Sequence, residues 1–426
     1  MTNKHFFVTT LLVTAGNSFI LSFANTVLTL SMLLAFGLKT AVLNGVALSI
    51  ALIISTPFGG VLCDRYEPRH LMTLKCVTTI IVYTLIGLAL SLKWSGTPKL
   101  IPLLMIGIGL IQSLTDPSSR IVIQTCKQEV HFSQAYPIIR ATQNIMRMLG
   151  PAIAGAIVGL HNSWLPFAVI SACSLLLLGA IRQLPNLLIN RELIPLGFTP
   201  SQHSPCAKSR LGNYSQQWLY ELVEGAKAFL GYPWLVALTG ASLIVLSAWT
   251  AGFRYLAPDI FLNNGGSTAQ WGFLVSTFSA GSLLASLITV RIKTANSIFW
   301  SFAWFIPLTP FLLLIASGHH GLLLMASTAI AGIAWDFAVF FGETSVLDGV
   351  HRQVLGRVTS FSSVGEQCGL LIGYLLTLTI SSPEEGSQRL VFGAFLIIAA
   401  STCGLGITSL LARRYAVQNL WNPSTW

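Results

Sequence analysis

The chain has 426 residues, 53% of them hydrophobic and 9% charged, with a mean hydropathy of +0.71 and a formal net charge of +10. That balance excludes an ordinary soluble domain and places the chain in a membrane. Its apolar runs are long and continuous, as spanning helices require, unlike the alternating strands of about ten residues that build a membrane barrel.

In chain order, the first stretch, MTNKHFFVTTLLVTAGNSFILSFANTVLTLSMLLAF, carries one lysine and an apolar run far longer than a signal-peptide core, so it reads as a retained first span. Apolar length and polar interruption predict twelve spanning helices over residues 7–35, 41–63, 71–92, 100–118, 138–160, 165–184, 234–256, 269–290, 298–317, 322–343, 359–380 and 389–411. An even number returns both ends to one side. Eighteen lysines and arginines then fall in the loops on that side, among them Arg65, Arg69, Lys75 and Arg357, against Lys39, Lys93, Lys99 and Arg389 on the other. The asymmetry predicts cytoplasmic termini. Attraction to anionic lipid accounts for the net charge, without a nucleic-acid partner. The seven cysteines are scattered, with no CxxC pair, so neither a disulfide nor a metal site is expected.

One connection is long. Residues 185–233, rich in Pro, Ser and Gln at their centre, predict a cytoplasmic linker between six-helix bundles at 1–184 and 234–412, with a cytoplasmic tail at 413–426. Within the linker, Trp218, Leu222, Ala226 and Phe229 recur at helical spacing, which suits an amphipathic helix on the membrane face or a plain connecting helix. A shift of 220 residues lays Asp116 over Asp336 and Val130-His131 over Val350-His351, a faint internal repeat of the kind many transporters carry.

The densest charge lies in GGVLCDRYEPRHLM, residues 59–72, after the second span. Gly60, Leu62, Asp64, Arg65 and Arg69 fit the pattern G-x-L-A-D-R-x-G-R-R, and on these residues the chain resembles the major facilitator superfamily. Glu67 stands at the usual glycine and Pro68 at a usual basic position. An acid there is similar to the branch formed by the enterobactin exporter and the macrolide efflux proteins. Three more stretches resemble that branch: LTDPSSRIVIQTC, RATQNIMRMLGPAIAGAIVG and VLGRVTSFSSVGEQCGLLIG. The resemblance implies an all-α fold of twelve transmembrane helices in two pseudo-symmetric bundles, in the inner membrane of a bacterium. It also implies that Gly60, Asp64, Arg65 and Arg69 latch onto the start of the eleventh span, at Arg357, in one conformational state. Stopping the span and fixing its orientation is the simpler account of Arg65 and Arg69, but not of Gly60 and Asp64.

Ionisable residues inside spans cost about 2.5–3.5 kcal/mol each on insertion scales and therefore suggest function. Asp116, Arg147, Asp336, Glu343 and Glu366 are the candidates for proton or substrate coupling, with a hydrogen-bonded structural role as the alternative for the acids of the second half. Asp336 and Glu343, two turns apart, share a helix face, and Arg147 looks to Asp116 for a partner. Arg254, near the predicted outer end of the seventh span, is expected to snorkel to the surface. Gly150, Pro151 and Gly155 thin and bend the fifth span. By resemblance this accompanies export by antiport, though packing alone also explains it. Phe23, Trp249, Trp304 and Trp335 are candidates to line an apolar cavity, or to face lipid or core.

No nucleophile elbow, phosphate loop or HExxH pattern occurs, and no ATP-binding domain, so the chain is not read as an enzyme and needs no cofactor. The expected activity is that of a monomeric secondary exporter, moving a small amphiphilic molecule such as a siderophore or drug outward in exchange for protons. Uptake, proton-independent export, or a non-transporting sensor on the same fold are its rivals.

Overall fold

A computed structural model describes residues 3–65, 67–130, 135–160, 163–184, 226–289, 292, 297–350, 355–380 and 382–420; within them the side chains of 3–5, 57–65, 114, 116–121, 123–130, 135–137, 140, 347, 348, 355–357, 360, 383 and 410–420 are not described. Among the described residues every regular element is helical. Of the predicted linker helix, only 226–230 falls inside this set, and it is helical.

The first helix, α1 (Asn3–Arg65), has 63 residues. Straight, it would run about 95 Å at 1.5 Å per residue, some three times the apolar thickness of a bilayer. Gly37 breaks it, with φ 79° and ψ 178°, a conformation a Cβ disfavours. The two limbs fold back on each other, because Asn25 and Gly45, on either side of the break, lie against the consecutive residues Arg254 and Tyr255. Four more helices complete the first half: α2 (Pro68–Ser91), α3 (Thr97–Val130), α4 (Ala135–Val158) and α5 (Leu165–Arg182).

In the second half, α6 (Pro233–Thr250), a π-turn (Ala251–Leu256) and α7 (Ala257–Asn263) form one pass. It continues beyond residue 256, where the sequence predicts its end. Pro258, which has no N–H to give to the carbonyl of Arg254, is accommodated just after the π-turn instead of ending the helix. Then follow α8 (Thr268–Thr289), a broken pass of α9 (Ser297–Ala303), a 3₁₀ turn (Ile306–Leu308) and α10 (Thr309–Ala316), and finally α11 (Leu322–Gly349), α12 (Leu355–Leu378) and α13 (Pro383–Leu420). Pro307 and Pro310 explain the break in the ninth pass. Among the described residues the helices thus make twelve passes in two groups of six, with eight helical stretches long and apolar enough to cross a membrane, the all-α membrane fold that the sequence predicts.

Within the halves, α1 packs on α3, α2 on α5, α8 on α11, and α6 on α12 and α13. Two seams join the halves: α4 against α8, and α1 against α12. Lipid tails are as apolar as leucine, so helices in a membrane associate through close packing and polar contacts rather than through escape from water. The α4–α8 seam follows that rule. A Cβ placed on Gly155 would sit 2.9 Å from Cα of Gly272, so the two backbones touch where only glycine fits. Aromatic rings fill the second half: Trp249 stacks on Phe253 at 5.0 Å and on Trp335 at 6.3 Å, and Phe253 lies 5.0 Å from Phe278.

Candidate functional site

The charged loop after the second span is built as a helix-to-helix corner. α1 stays helical through Gly60, Asp64 and Arg65, although their side chains, like that of Arg357, lie outside the described residues. The contact between Asp64 and the start of α12 is therefore not among the described ones. Glu67 is the N-cap of α2, with Pro68 pre-shaped for the first helical turn, and its carbonyl accepts the amide of His70 at 3.0 Å. The Glu67 side chain is buried, with Oε2 3.0 Å from Nδ1 of His70, while its Oε1 has no partner among the described residues. The described partner of Glu67 is His70. Arg69 donates from Nη2 to the carbonyl of Arg182 at 2.7 Å, tying the corner to the last residue of α5. A cation there complements the negative end of the α5 dipole. This contact stays inside the first half.

The coupling candidates fall in distinct surroundings. Asp336, half-buried on α11, accepts the Ser286 hydroxyl at Oδ2, at 2.8 Å, and Ser286 in turn accepts Nδ2 of Asn144 at 2.9 Å. Asn144 is buried on α4, so this chain of hydrogen bonds crosses from one half to the other. Glu343, two turns further along α11, and Glu366 on α12 are both exposed and close enough to repel one another electrostatically. Arg147, three residues from Asn144 on α4, is exposed and interacts with another group. The side chain of Asp116 is outside the described residues.

The fifth span, α4, shows what its small residues do. Gly150 presses on the side chain of Ser22, and a Cβ there would meet the backbone nitrogen of Phe23 at 2.9 Å. Pro151 sits inside α4, which remains one helix from Ala135 to Val158. Gly150 and Gly155 together let α4 lie close to both α1 and α8. Of the aromatic candidates, Phe23 and Trp249 belong to the packed core, and Trp304 stacks on Phe337 at 4.6 Å.

Arg254 corrects the sequence reading. It does not snorkel to an outer surface. The π-turn and α7 extend the pass about 13 Å beyond it, and its half-buried guanidinium reaches into the boundary between the halves. Nη2 donates to Oδ1 of Asn25 at 2.8 Å and Nη1 to the Tyr374 hydroxyl at 3.0 Å. Beside it, the buried ring of Tyr255 meets that of Tyr374 edge-on at 5.3 Å, and its hydroxyl would stand 2.6 Å from a Cβ at Gly45.

A second feature went unread because Lys75 counts with the loop charges in the sequence. It lies in the second turn of α2, and with Asn17, Thr79, Gln112, Ser174 and Tyr83 it supplies the polar groups of a mainly apolar cavity between α1, α2, α3 and α5.

Among the described residues, twelve helical passes in two groups, joined along two seams and with a charged corner after the second pass, form the layout of many membrane transporters. The sequence profile of the Major Facilitator Superfamily matches residues 8–374, and the chain belongs to that superfamily of membrane transporters. The enterobactin exporter EntS of Escherichia coli O1:K1 is 24% identical over 371 residues, covering 84% of this chain and 81% of its own. Among solved structures, the nucleoside transporter NupG superposes with a TM-score of 0.70 at 13% identity, over 95% of this chain and 99% of its own. The xylose transporter XylE from E. coli, in an inward open conformation, gives a TM-score of 0.61 at 14% identity, over 92% and 95%. At these identities the solved structures speak for the fold alone.

Proposed function

We propose that the chain is a proton-coupled exporter of a small amphiphilic molecule of siderophore or drug type, acting as a monomer in a bacterial inner membrane with both termini in the cytoplasm. The likeness to EntS over most of both chains supports export and the substrate class. The observation that carries the coupling is the line from Asp336 through Ser286 to Asn144. An ionised Asp336 holds the Ser286 hydroxyl in a charge-assisted hydrogen bond, and Ser286 then presents its oxygen to the other half. A proton on Asp336 weakens the first bond and frees the second, so protonation and the α4–α8 seam are linked. Glu343 and Glu366, which repel one another when both are ionised, are suited to pass a single proton towards Asp336 along the shared face of α11. Gly60, Asp64, Arg65 and Arg357 serve as the latch that holds the halves together on the face of the chain ends, with Arg69 bracing the corner.

Everted membrane vesicles under an imposed pH gradient test this reading. Siderophores or cationic dyes should enter the vesicle lumen while protons leave it. An absence of movement across such a panel, with the protein present and folded, removes the antiport reading.

A further inference from the structure

The Arg254 cluster has a property that simple packing does not explain. A guanidinium carries five N–H donors and does not lose its charge in a protein. In this structure its two side-chain acceptors, Asn25 Oδ1 and the Tyr374 hydroxyl, are both neutral. Among the described residues no carboxylate pairs with it within 4.0 Å. The remaining neighbours are tyrosines: Tyr255 and Tyr374 from the second half, and from the first half Tyr83, whose hydroxyl lies within electrostatic reach. A cation withdrawn from water needs a counter-charge, and the described residues supply none. The π-turn adds a second observation, since such turns recur at functional sites.

We infer that Arg254 is a recognition site for an organic anion, whose carboxylate or equivalent oxyanion replaces Asn25 and Tyr374 on the guanidinium. A carboxylate accepts two parallel, charge-assisted hydrogen bonds from the planar fork and outcompetes two neutral acceptors. The exchange has a mechanical consequence. Asn25 belongs to the first half and Arg254 to the second, so an anion that takes the guanidinium breaks their cross-half bond. Ligand binding therefore favours the state in which the halves part around Arg254. Phe253, adjacent on the same helix and half-buried, gives the apolar part of such a ligand a ring to meet. The inference rests on the transport reading only in taking the anion to be cargo.

Benzoate and 2-naphthoate, set against benzamide and 2-naphthamide, differ in charge at nearly constant shape. Binding to the purified full chain in lipid nanodiscs is read by intrinsic tryptophan fluorescence and by the shift in melting temperature. The carboxylates should bind saturably and at least about tenfold more tightly than the amides, a preference that falls with added salt. Arg254→Gln should abolish the preference, and Arg254→Lys should keep part of it. Asn25→Ala should bind the carboxylates several-fold more tightly, because the internal competitor is gone; a latch without a ligand would show no such gain. Equal binding of acid and amide, an unchanged preference in Arg254→Gln, or no carboxylate binding by Asn25→Ala overturns the inference. Charge-selective binding without vesicle transport leaves this site standing and removes the export reading. Transport indifferent to Arg254→Gln does the reverse.

Discussion

The two seams between the halves are built from opposite materials. Along α4 and α8, glycines bring backbone against backbone at Gly155 and Gly272, and the polar bonds are short-range, from Asn144 through Ser286 to Asp336. Around Arg254, long side chains reach across the boundary, and Asn25, Tyr374 and Tyr255 meet there as donors, acceptors and ring edges. A backbone contact between glycines has no rotamer to change, so it can slide or pivot but not be exchanged. A guanidinium held by neutral side chains can trade them for a better acceptor. The molecule therefore joins a close-packed pivot to a seam whose bonds are replaceable.

The largest effect should come from filling the pivot. Gly155→Val places two methyls against the backbone of α8, and overpacking of this kind costs about 1–3 kcal/mol or more. Both the melting temperature in nanodiscs and transport should fall, and near-normal values for both would show that the seam is looser than drawn. Next, Arg254→Gln removes the replaceable bonds; cargo transport should fall by about tenfold, the loss expected for one charge-assisted pair, while the melting temperature moves little. Asp336→Asn keeps an acceptor for Ser286 but no longer exchanges a proton. It should leave folding intact and flatten the dependence of transport on the pH gradient, as measured in everted vesicles, whereas a full gradient response would remove Asp336 from the coupling. A smaller change is expected from Gly45→Ala, whose methyl would meet the Tyr255 hydroxyl at 2.6 Å and push the halves apart near Arg254. A cysteine introduced near Asn25 should then react faster with a polar thiol reagent. The smallest effect belongs to Arg69→Ala, which loses one exposed hydrogen bond to the Arg182 carbonyl, worth about 0.5–1.5 kcal/mol in a folding titration.

The passes were legible because a spanning helix must be apolar for its whole length, and that requirement is written residue by residue. Positions that depend on a helix end were not. Pro258-Asp259 reads as a terminator, so Arg254 counted as a surface group; nothing local announces that a π-turn carries the helix onward. Lys75 was assigned to a loop by its charge, although α2 had already begun at Pro68. Asn144 and Ser286 drew no attention because single amides and hydroxyls are common in spans and acquire meaning only when two helices bring them within 2.9 Å. Asp336, by contrast, was visible at once, since an acid in an apolar run is costly wherever its partner stands.

The break at Gly37 has a further consequence for how the chain enters the membrane. The first two spans reverse through a single residue with φ 79°, with no hydrophilic segment between them to be carried across. Of the charged side chains, only that of Lys39 lies near the reversal. The pair can therefore insert together as one helical hairpin, its tip passing the apolar layer without stranding a loop. In biogenesis terms, the first committed step makes a two-helix unit whose limbs already present Asn25 and Gly45 side by side, before the half that carries Arg254 and Tyr255 has been made.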